Sequence, residues 1–267
     1  MIELNCYIRG SLSSVQASAD IKKLIPDAML RRRISGITRE AVSTGLECAA
    51  RAGLPLDAII TATGWGCLAE SEKFLNGFKE SDGMSASPSA FMQSTFNSVG
   101  SYLAQVLHCH EYNMTYVNRG HSFEDAVLDA AMLIEDNEAA NVLLGAYDEL
   151  TPSQYGIMER MGFWRKYQSG AGAAFMVLSK EKGSNCLARL SGMEFNCENM
   201  SEAGVAGRFN CNMDNGELIY IKNQMFPVAS SIGFVQAADR ISSGTGKVVI
   251  YNEFPGDRPV ISILECI

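Results

Sequence analysis

The stretch NMTYVNRGHSFEDAVLDAAMLIE, residues 113–135, decides the fold of this chain. Met114 to Val117 reads as a short strand, and Asn118-Arg119-Gly120-His121 as the turn that leaves it. From there Phe123, Ala126, Val127, Ala130, Ala131 and Ile134 recur at helical spacing, which predicts a helix over 122–135 with those residues facing inward. The alanines allow close packing, so the helix belongs inside the protein. Ser122 followed by Asp125 reads as a capping-box-like pair, with Glu124 adding a second carboxylate in the first turn.

Working outward, the same alternation continues in both directions. Upstream lie a strand over 2–8, a helix over 37–53 carrying Ile37, Ala41, Leu46, Ala49 and Ala50, and a buried strand over 59–62. The glycine turn Thr63-Gly64-Trp65-Gly66 follows, then a helix over 71–79, a breaker-rich loop over 83–89 and a helix over 90–107. Downstream come a strand over 141–146, an irregular acidic and aromatic stretch over 147–168, and a strand over 173–179. Residues 181–220 read as a low-pattern connector around short strands, and 227–265 as a last helix with paired strands. Strands alternating with helices imply an α/β protein with a largely parallel sheet covered on both faces.

Four segments resemble the β-ketoacyl synthases. RRRISGITREAVSTGLECAARAGLPLDAIITATGWGCLAESEKFL (31–75) is similar to the ketosynthase opening, and SPSAFMQSTFNSVGSYLAQVL (87–107) to the loop and helix before its nucleophile strand. NVLLGAYDEL (141–150) and SGAGAAFMVLSK (169–180) resemble the strand, acidic turn and hairpin that close the first half of that fold. The resemblance covers roughly two-thirds of the chain. Counted without gaps from Ser87-Pro88, the family's nucleophilic cysteine falls on Gly120, with Asn118-Arg119 in place of the usual Thr-Ala. Beyond Lys180 the likeness thins, and NEFPGD (252–257) stands where the family has a glycine-rich turn. The resemblance implies a thiolase-like layered fold with a complete first half, 1–180, and an abbreviated second half, 181–267, packed on it as a single structural unit. It also implies a dimer joined through the nucleophile-side strand.

The chemistry of condensation is missing from the sequence. The only histidines are His108, His110 and His121, so none follows residue 121. Decarboxylative condensation needs a thiolate to hold the acyl chain and donors to stabilise the carbanion or enolate. Two carboxylates in the first turn after Gly120 would also oppose a thiolate there. No independent condensing activity is expected, and no catalytic residue is assigned with Gly120 at the lost-nucleophile position.

Composition excludes several classes. At 267 residues and 47% hydrophobic content, the chain is large enough for a substantial core. It has no apolar run long enough to span a bilayer and no secretion-type leader, so a cytoplasmic location without membrane contact is expected. Eight cysteines without paired spacing suit reduced thiols. A net charge of −8 argues against a nucleic-acid partner. It also makes the chain a poor general docking surface for an acidic acyl carrier, which would then be engaged indirectly, through a second subunit. The Arg31-Arg32-Arg33 cluster reads as a solvated helix end, with carrier steering as the alternative.

No cofactor and no metal site is expected. His108-Cys109-His110 with His121 invites a zinc or Cys-His reading, but on an extended segment Cys109 points away from both flanking histidines. His121 and Cys109 remain the candidates if any activity survives. Trp65, Phe74, Phe78, Phe91, Met92 and Phe96 read as core packing. In the family the corresponding region lines the acyl tunnel and the dimer interface, which makes Phe91, Met92, Phe96, Met114 and Tyr116 the candidate acyl-pocket and interface residues.

The implied function is a chain-length-factor-like subunit pairing with an intact β-ketoacyl synthase in fatty-acid or polyketide-type biosynthesis, of the kind that serves aryl-polyene or flexirubin-type pathways. The alternatives are an acyl-thioester transferase or hydrolase with displaced catalytic residues, and an acyl-binding or scaffold homodimer.

Overall fold

The computed structural model describes residues 1–34, 36–83 and 87–267. Among these, one mixed sheet holds β1 (Ile2–Ser13), β2 (Ala58–Ala62), β3 (Tyr112–Tyr116), β4 (Asn141–Asp148), β5 (Gly172–Ser179), β6 (Ala188–Glu194), β7 (Leu218–Lys222), β8 (Lys247–Glu253) and β9 (Val260–Glu265). Their order is β3-β2-β4-β5-β1-β6-β9-β8-β7. β1 and β6 pair antiparallel at the centre, with Tyr7 opposite Arg189.

On either side of that central pair the chain follows the same plan. The helix Gly36–Ala52 links β1 to β2 as Glu202–Phe209 links β6 to β7, and the helix Ser122–Glu135 leads into β4-β5 as Ala229–Ser242 leads into β8-β9. Only the first half has an extra helix and strand, Ser98–Leu107 and β3, between its second strand and its inner helix. The second half passes from β7 directly to its inner helix, so β7 is left at one sheet edge and β3 at the other. This internal repeat is a matter of topology, and the sequence carries no readable trace of it.

The two halves of the sheet enclose the inner helices. Along β2, Ala58, Ile60 and Ala62 enter the central core while Ile59 enters the outer one, and along β8 Val248 and Ile250 alternate with Val249 and Tyr251 in the same way. Strands covered on both faces need apolar residues on both, which is why IITA, VLLGAY and AAFMVL read as unbroken apolar runs. The central core joins the two inner helices through Phe123 and Phe234, whose rings meet edge-on at 5.2 Å. The result is five layers, helix, sheet, helix, sheet, helix.

Several elements differ from their sequence reading. The helix expected over 90–107 is two, Pro88–Gln93 and Ser98–Leu107, because the hydroxyls of Ser94, Thr95 and Ser98 turn back onto the carbonyls of Phe91 and Met92. The stretch expected to be irregular over 147–168 contains a helix, Pro152–Arg160, opened by Thr151 accepting from Gln154 N with proline in the first turn. The 181–220 connector contains β6, a helix and β7. β1 runs on to Ser13, passing an irregularity between Ile8 and Gly10. Residues 84–86 of the expected 83–89 loop lie outside the described residues.

Candidate functional site

The loop leaving β3 turns sharply. Arg119 is held at φ +48°, and Arg119–His121 form a single 3-10 turn that runs straight into the helix Ser122–Glu135. The expected capping box is therefore not made. Ser122 already lies inside the helix, and its hydroxyl turns backward, accepting from Asn118 N at 2.7 Å and standing 2.9 Å from Thr63 O and 2.8 Å from Arg119 O. Asp125 instead accepts from Asn118 Nδ2 at 2.8 Å. The turn is pinned from both sides.

Gly120 sits buried at its centre, and the space a side chain would need is already taken. A Cβ added to Gly120 would lie 2.0 to 2.3 Å from the ring and Cβ of Phe254, far inside contact distance. Phe254 follows the last residues of β8, Asn252 and Glu253, and opens the turn that Asp257 N closes by donating to Phe254 O; the side-chain contacts of Asn252 and Asp257 hold that turn in place. Asn252 Nδ2 donates to Gly120 O at 3.0 Å and to Glu124 Oε1 at 2.7 Å, and Arg119 pairs with Asp257. The opposite wall is the Thr63–Gly66 turn. There a Cβ on Gly64 would meet Pro227 at 2.5 Å, so glycine is required for the second half to close over the first.

Two carboxyls support these walls from within. Asp148 Oδ1 accepts from Thr63 Oγ1 at 2.8 Å, Gly64 N at 2.9 Å and Trp65 N at 2.6 Å, while Oδ2 is buried without a partner. Complete burial pushes this carboxyl up to about 7 despite those donors. Glu124 is 1% exposed, and burial likewise takes it to about 7. Its sequence position suggests a solvated first-turn dipole partner; in the fold it is an internal group shared between the two halves.

The remaining candidates separate. His121 adjoins Gly120, with its Nε2 buried and unpartnered, and burial pushes its imidazole down against the pull of Asp257 and Asp125. Cys109 lies at the other end of β3, its thiol 3.7 Å from Leu56 O and pushed up by burial. The two are not brought together. His108 closes the helix Ser98–Leu107 in a left-handed conformation, so the segment is not extended as its sequence suggests. Among the described residues no cluster could hold a metal ion, and no helix is long and apolar enough to cross a membrane.

The aromatic and sulfur set forms a surface. Phe78 is 48% exposed, Phe91 54%, Met92 71% and Phe96 45%, which corrects the core-packing expectation for these four. Phe91 and Met92 line a groove of ≈ 790 Å³ with Arg33, Tyr102 and Gln105. Met114 is 42% exposed on the edge strand β3. Tyr116 on the same strand is half-buried, and burial and the Asp129 carboxylate push its phenol up. Neither Asp148 nor Asn252 stands out in the sequence. Phe254 lies in NEFPGD, the stretch set against the family's glycine-rich turn, but nothing in the sequence marks it as the residue facing Gly120.

Residues 11–216 match the family model of the β-ketoacyl synthase N-terminal domain, and the chain belongs to that family. No curated protein matches it in sequence. Among solved structures it resembles a type II polyketide ketosynthase described in complex with its acyl-carrier protein (TM-score 0.78, 15% identity, 99% of this chain and 100% of the other). It also resembles a β-ketoacyl synthase from Burkholderia phymatum (0.73, 10%, 99% and 100%). A third is a ketosynthase in complex with its chain length factor from Xenorhabdus doucetiae (0.64, 18%, 98% and 100%). At such identities the shared feature is the thiolase-like fold.

Proposed function

We propose that this chain is a non-condensing, chain-length-factor-like subunit that pairs with an active ketosynthase and shapes its acyl pocket. The observation that carries the reading is the pairing of Gly120 with Phe254: the position to which the sequence count assigns the family's nucleophile has no side chain, and Phe254 fills the space that one would need. Two features support a partner. β3 is an unpaired sheet edge, a liability unless another strand covers it, and exposed Phe91, Met92, Phe96 and Met114 gather apolar surface on the first half.

In this reading the chain is one structural unit, 1–180 with 181–267 packed on it, and works in the cytoplasm. The partner supplies the catalytic cysteine and histidines and most contacts to the acyl carrier. The pathway is fatty-acid or polyketide-type synthesis of the aryl-polyene kind, in keeping with relatives solved as ketosynthase and chain-length-factor pairs. Co-expression with the intact ketosynthase encoded nearest to it, followed by native mass spectrometry, is expected to give a one-to-one heterodimer. A homodimer that ignores the ketosynthase overturns the reading in favour of an acyl-binding scaffold.

A further inference from the structure

The first half of the fold fills with its own chain a place that the second half leaves uncovered. In the first half β3 lies parallel beside β2, with Met114 opposite Ile60, and rests Tyr112 and Tyr116 on the central core. β7 holds the position of β2 in the repeat, but among the described residues no named strand lies on its outer side. Beside it runs a groove of ≈ 350 Å³ between β7 and the helix Ala229–Ser242, lined by Ile219, Ile221, Phe226, Ile232, Gln236 and Arg240. Phe226 and Ile232 reach the central core here and are only partly buried, as Tyr112 and Tyr116 are in the first half.

The backbone of β7 is turned to receive a strand. Val249 N donates to Glu217 O, so in this parallel pair Glu217, Ile219 and Ile221 face β8, while Leu218, Tyr220 and Lys222 turn their amides and carbonyls to the open side. Both ends of that side are engaged. Arg240 Nη1 donates to Gly216 O at 2.8 Å and to Leu218 O at 3.0 Å. At the far end Gln168 N donates to Asn223 O, and its carbonyl accepts from Met225 N. Tyr220 and Lys222 form the open stretch between them. The near end is cationic: both of these bonds use Nη1, and among the described residues no carboxylate pairs with the Arg240 guanidinium. No acidic side chain lines the groove, although the chain carries a net charge of −8.

We propose that this groove receives an extended segment of a partner protein, added to β7 in parallel as β3 is added to β2, with an acidic residue at Arg240 followed by apolar residues at alternate positions. Strand addition draws its affinity from main-chain bonds to the open edge and its selectivity from the alternate side chains, which here would cover Phe226 and Ile232. The free guanidinium nitrogens of Arg240 supply a charge-assisted bond to the acidic residue. β3 itself shows the pattern required, since Glu111 precedes Tyr112, Met114 and Tyr116. Set on β7 with Met114 opposite Ile219 and Tyr116 opposite Ile221, such a segment places its glutamate opposite Gly216, where Arg240 stands. The proposal is independent of the ketosynthase reading, which concerns the opposite edge of the sheet.

Fluorescence anisotropy of the full chain with a labelled, end-blocked peptide of residues 111–116, EYNMTY, tests this. Saturable binding is expected, weakened at least about tenfold by Arg240→Gln in the protein or by Glu111→Lys in the peptide. N-methylation of the peptide at Tyr116, whose amide would donate to Tyr220 O, is expected to weaken binding by a similar factor, whereas N-methylation at Thr115, whose amide faces away, leaves it unchanged. The two peptide modifications decide the matter even if Arg240→Gln does not fold. No saturable binding, or binding that is indifferent both to the charge changes and to the site of methylation, overturns the proposal. Sedimentation of the isolated chain is expected to show no association that depends on Arg240; self-association lost in Arg240→Gln would put a second copy in the groove and overturn the partner segment.

Discussion

The ring of Phe254 occupies the place where a side chain on Gly120 would stand, with 2.0 Å between the ring and a Cβ built there. Introducing a side chain at Gly120 therefore takes two substitutions. Gly120→Cys alone forces the ring and its turn outward, and overpacking of this kind costs about 1–3 kcal/mol or more. Phe254→Ala alone leaves a cavity costing about 3–5 kcal/mol. In the double variant the thiol fills part of the space that the ring vacates. Denaturant titrations of the four proteins should give a favourable coupling above about 1 kcal/mol, and iodoacetamide should label the introduced thiol only when Phe254 is absent. Strict additivity of the two single effects would mean that the ring and the turn do not compete for one space.

Stability should fall as pH rises from 5 to 8. Asp148 and Glu124 sit at about 7 in the folded chain against 3.8 and 4.5 ordinarily, so the folded state binds protons that the unfolded chain has released. Their contribution is complete below about pH 4 and is lost as pH climbs through about 7, on the order of 2–4 kcal/mol for each group. His121, whose imidazole is pushed down from its ordinary 6.5, opposes this in the lower part of the window, one group against two. Glu47 and Glu194 are pushed below their usual range, so their titration is complete before the window opens. Urea midpoints at fixed ionic strength should be lower at pH 8 than at pH 5, with a smaller difference in Asp148→Asn. A higher midpoint at pH 8 would contradict the burial of both carboxyls in protonated form.

The first half of the fold is readable because its signals are local. The helix over 122–135 has the bounds that its apolar spacing predicts, and all six residues assigned to its inner face are buried. The buried strands announce themselves as apolar runs. The second half is harder: Val205 is the only buried residue of the helix Glu202–Phe209, so that segment has almost no apolar stripe to read. Gly120 is found by counting along the chain. Its meaning depends on Phe254 and Asn252, more than 130 residues away, and only the folded chain brings them together. Glu124 is misread for a related reason: its position in a first turn is local information, but its burial comes from a helix of the other half.

Incubated with an acyl thioester, the isolated chain should form no covalent adduct. Cys109, the weak candidate, has its thiol pushed up by burial, so little thiolate is present near neutral pH. The length of β3 separates it from His121, roughly 16 Å at strand geometry, so the two candidates do not form a Cys-His pair. Intact-mass spectra of the wild type, Cys109→Ser and His121→Ala should be the same after exposure. A mass increase that disappears in Cys109→Ser would establish displaced acyl-transfer chemistry.

The apolar face of the first half should bind its partner through few residues. Phe91 and Met92 are mostly solvent-exposed, so replacing either with aspartate removes little internal packing and should leave the melting temperature of the isolated chain nearly unchanged. At a desolvated interface the same change leaves a charge without water or partner, costing about 2 kcal/mol or more, roughly thirtyfold in Kd. Met114→Lys on the open strand should act the same way, because a lysine on an edge strand discourages pairing. Tyr155 and Ile157, also exposed, lie on the separate helix Pro152–Arg160 and serve as controls when changed to aspartate. Titration of the purified ketosynthase against each variant, followed by mass photometry, separates the two sets. Weakening confined to Phe91, Met92 and Met114 places the partner on the β3 face, and equal weakening by the control pair would move the interface toward the Pro152–Arg160 helix.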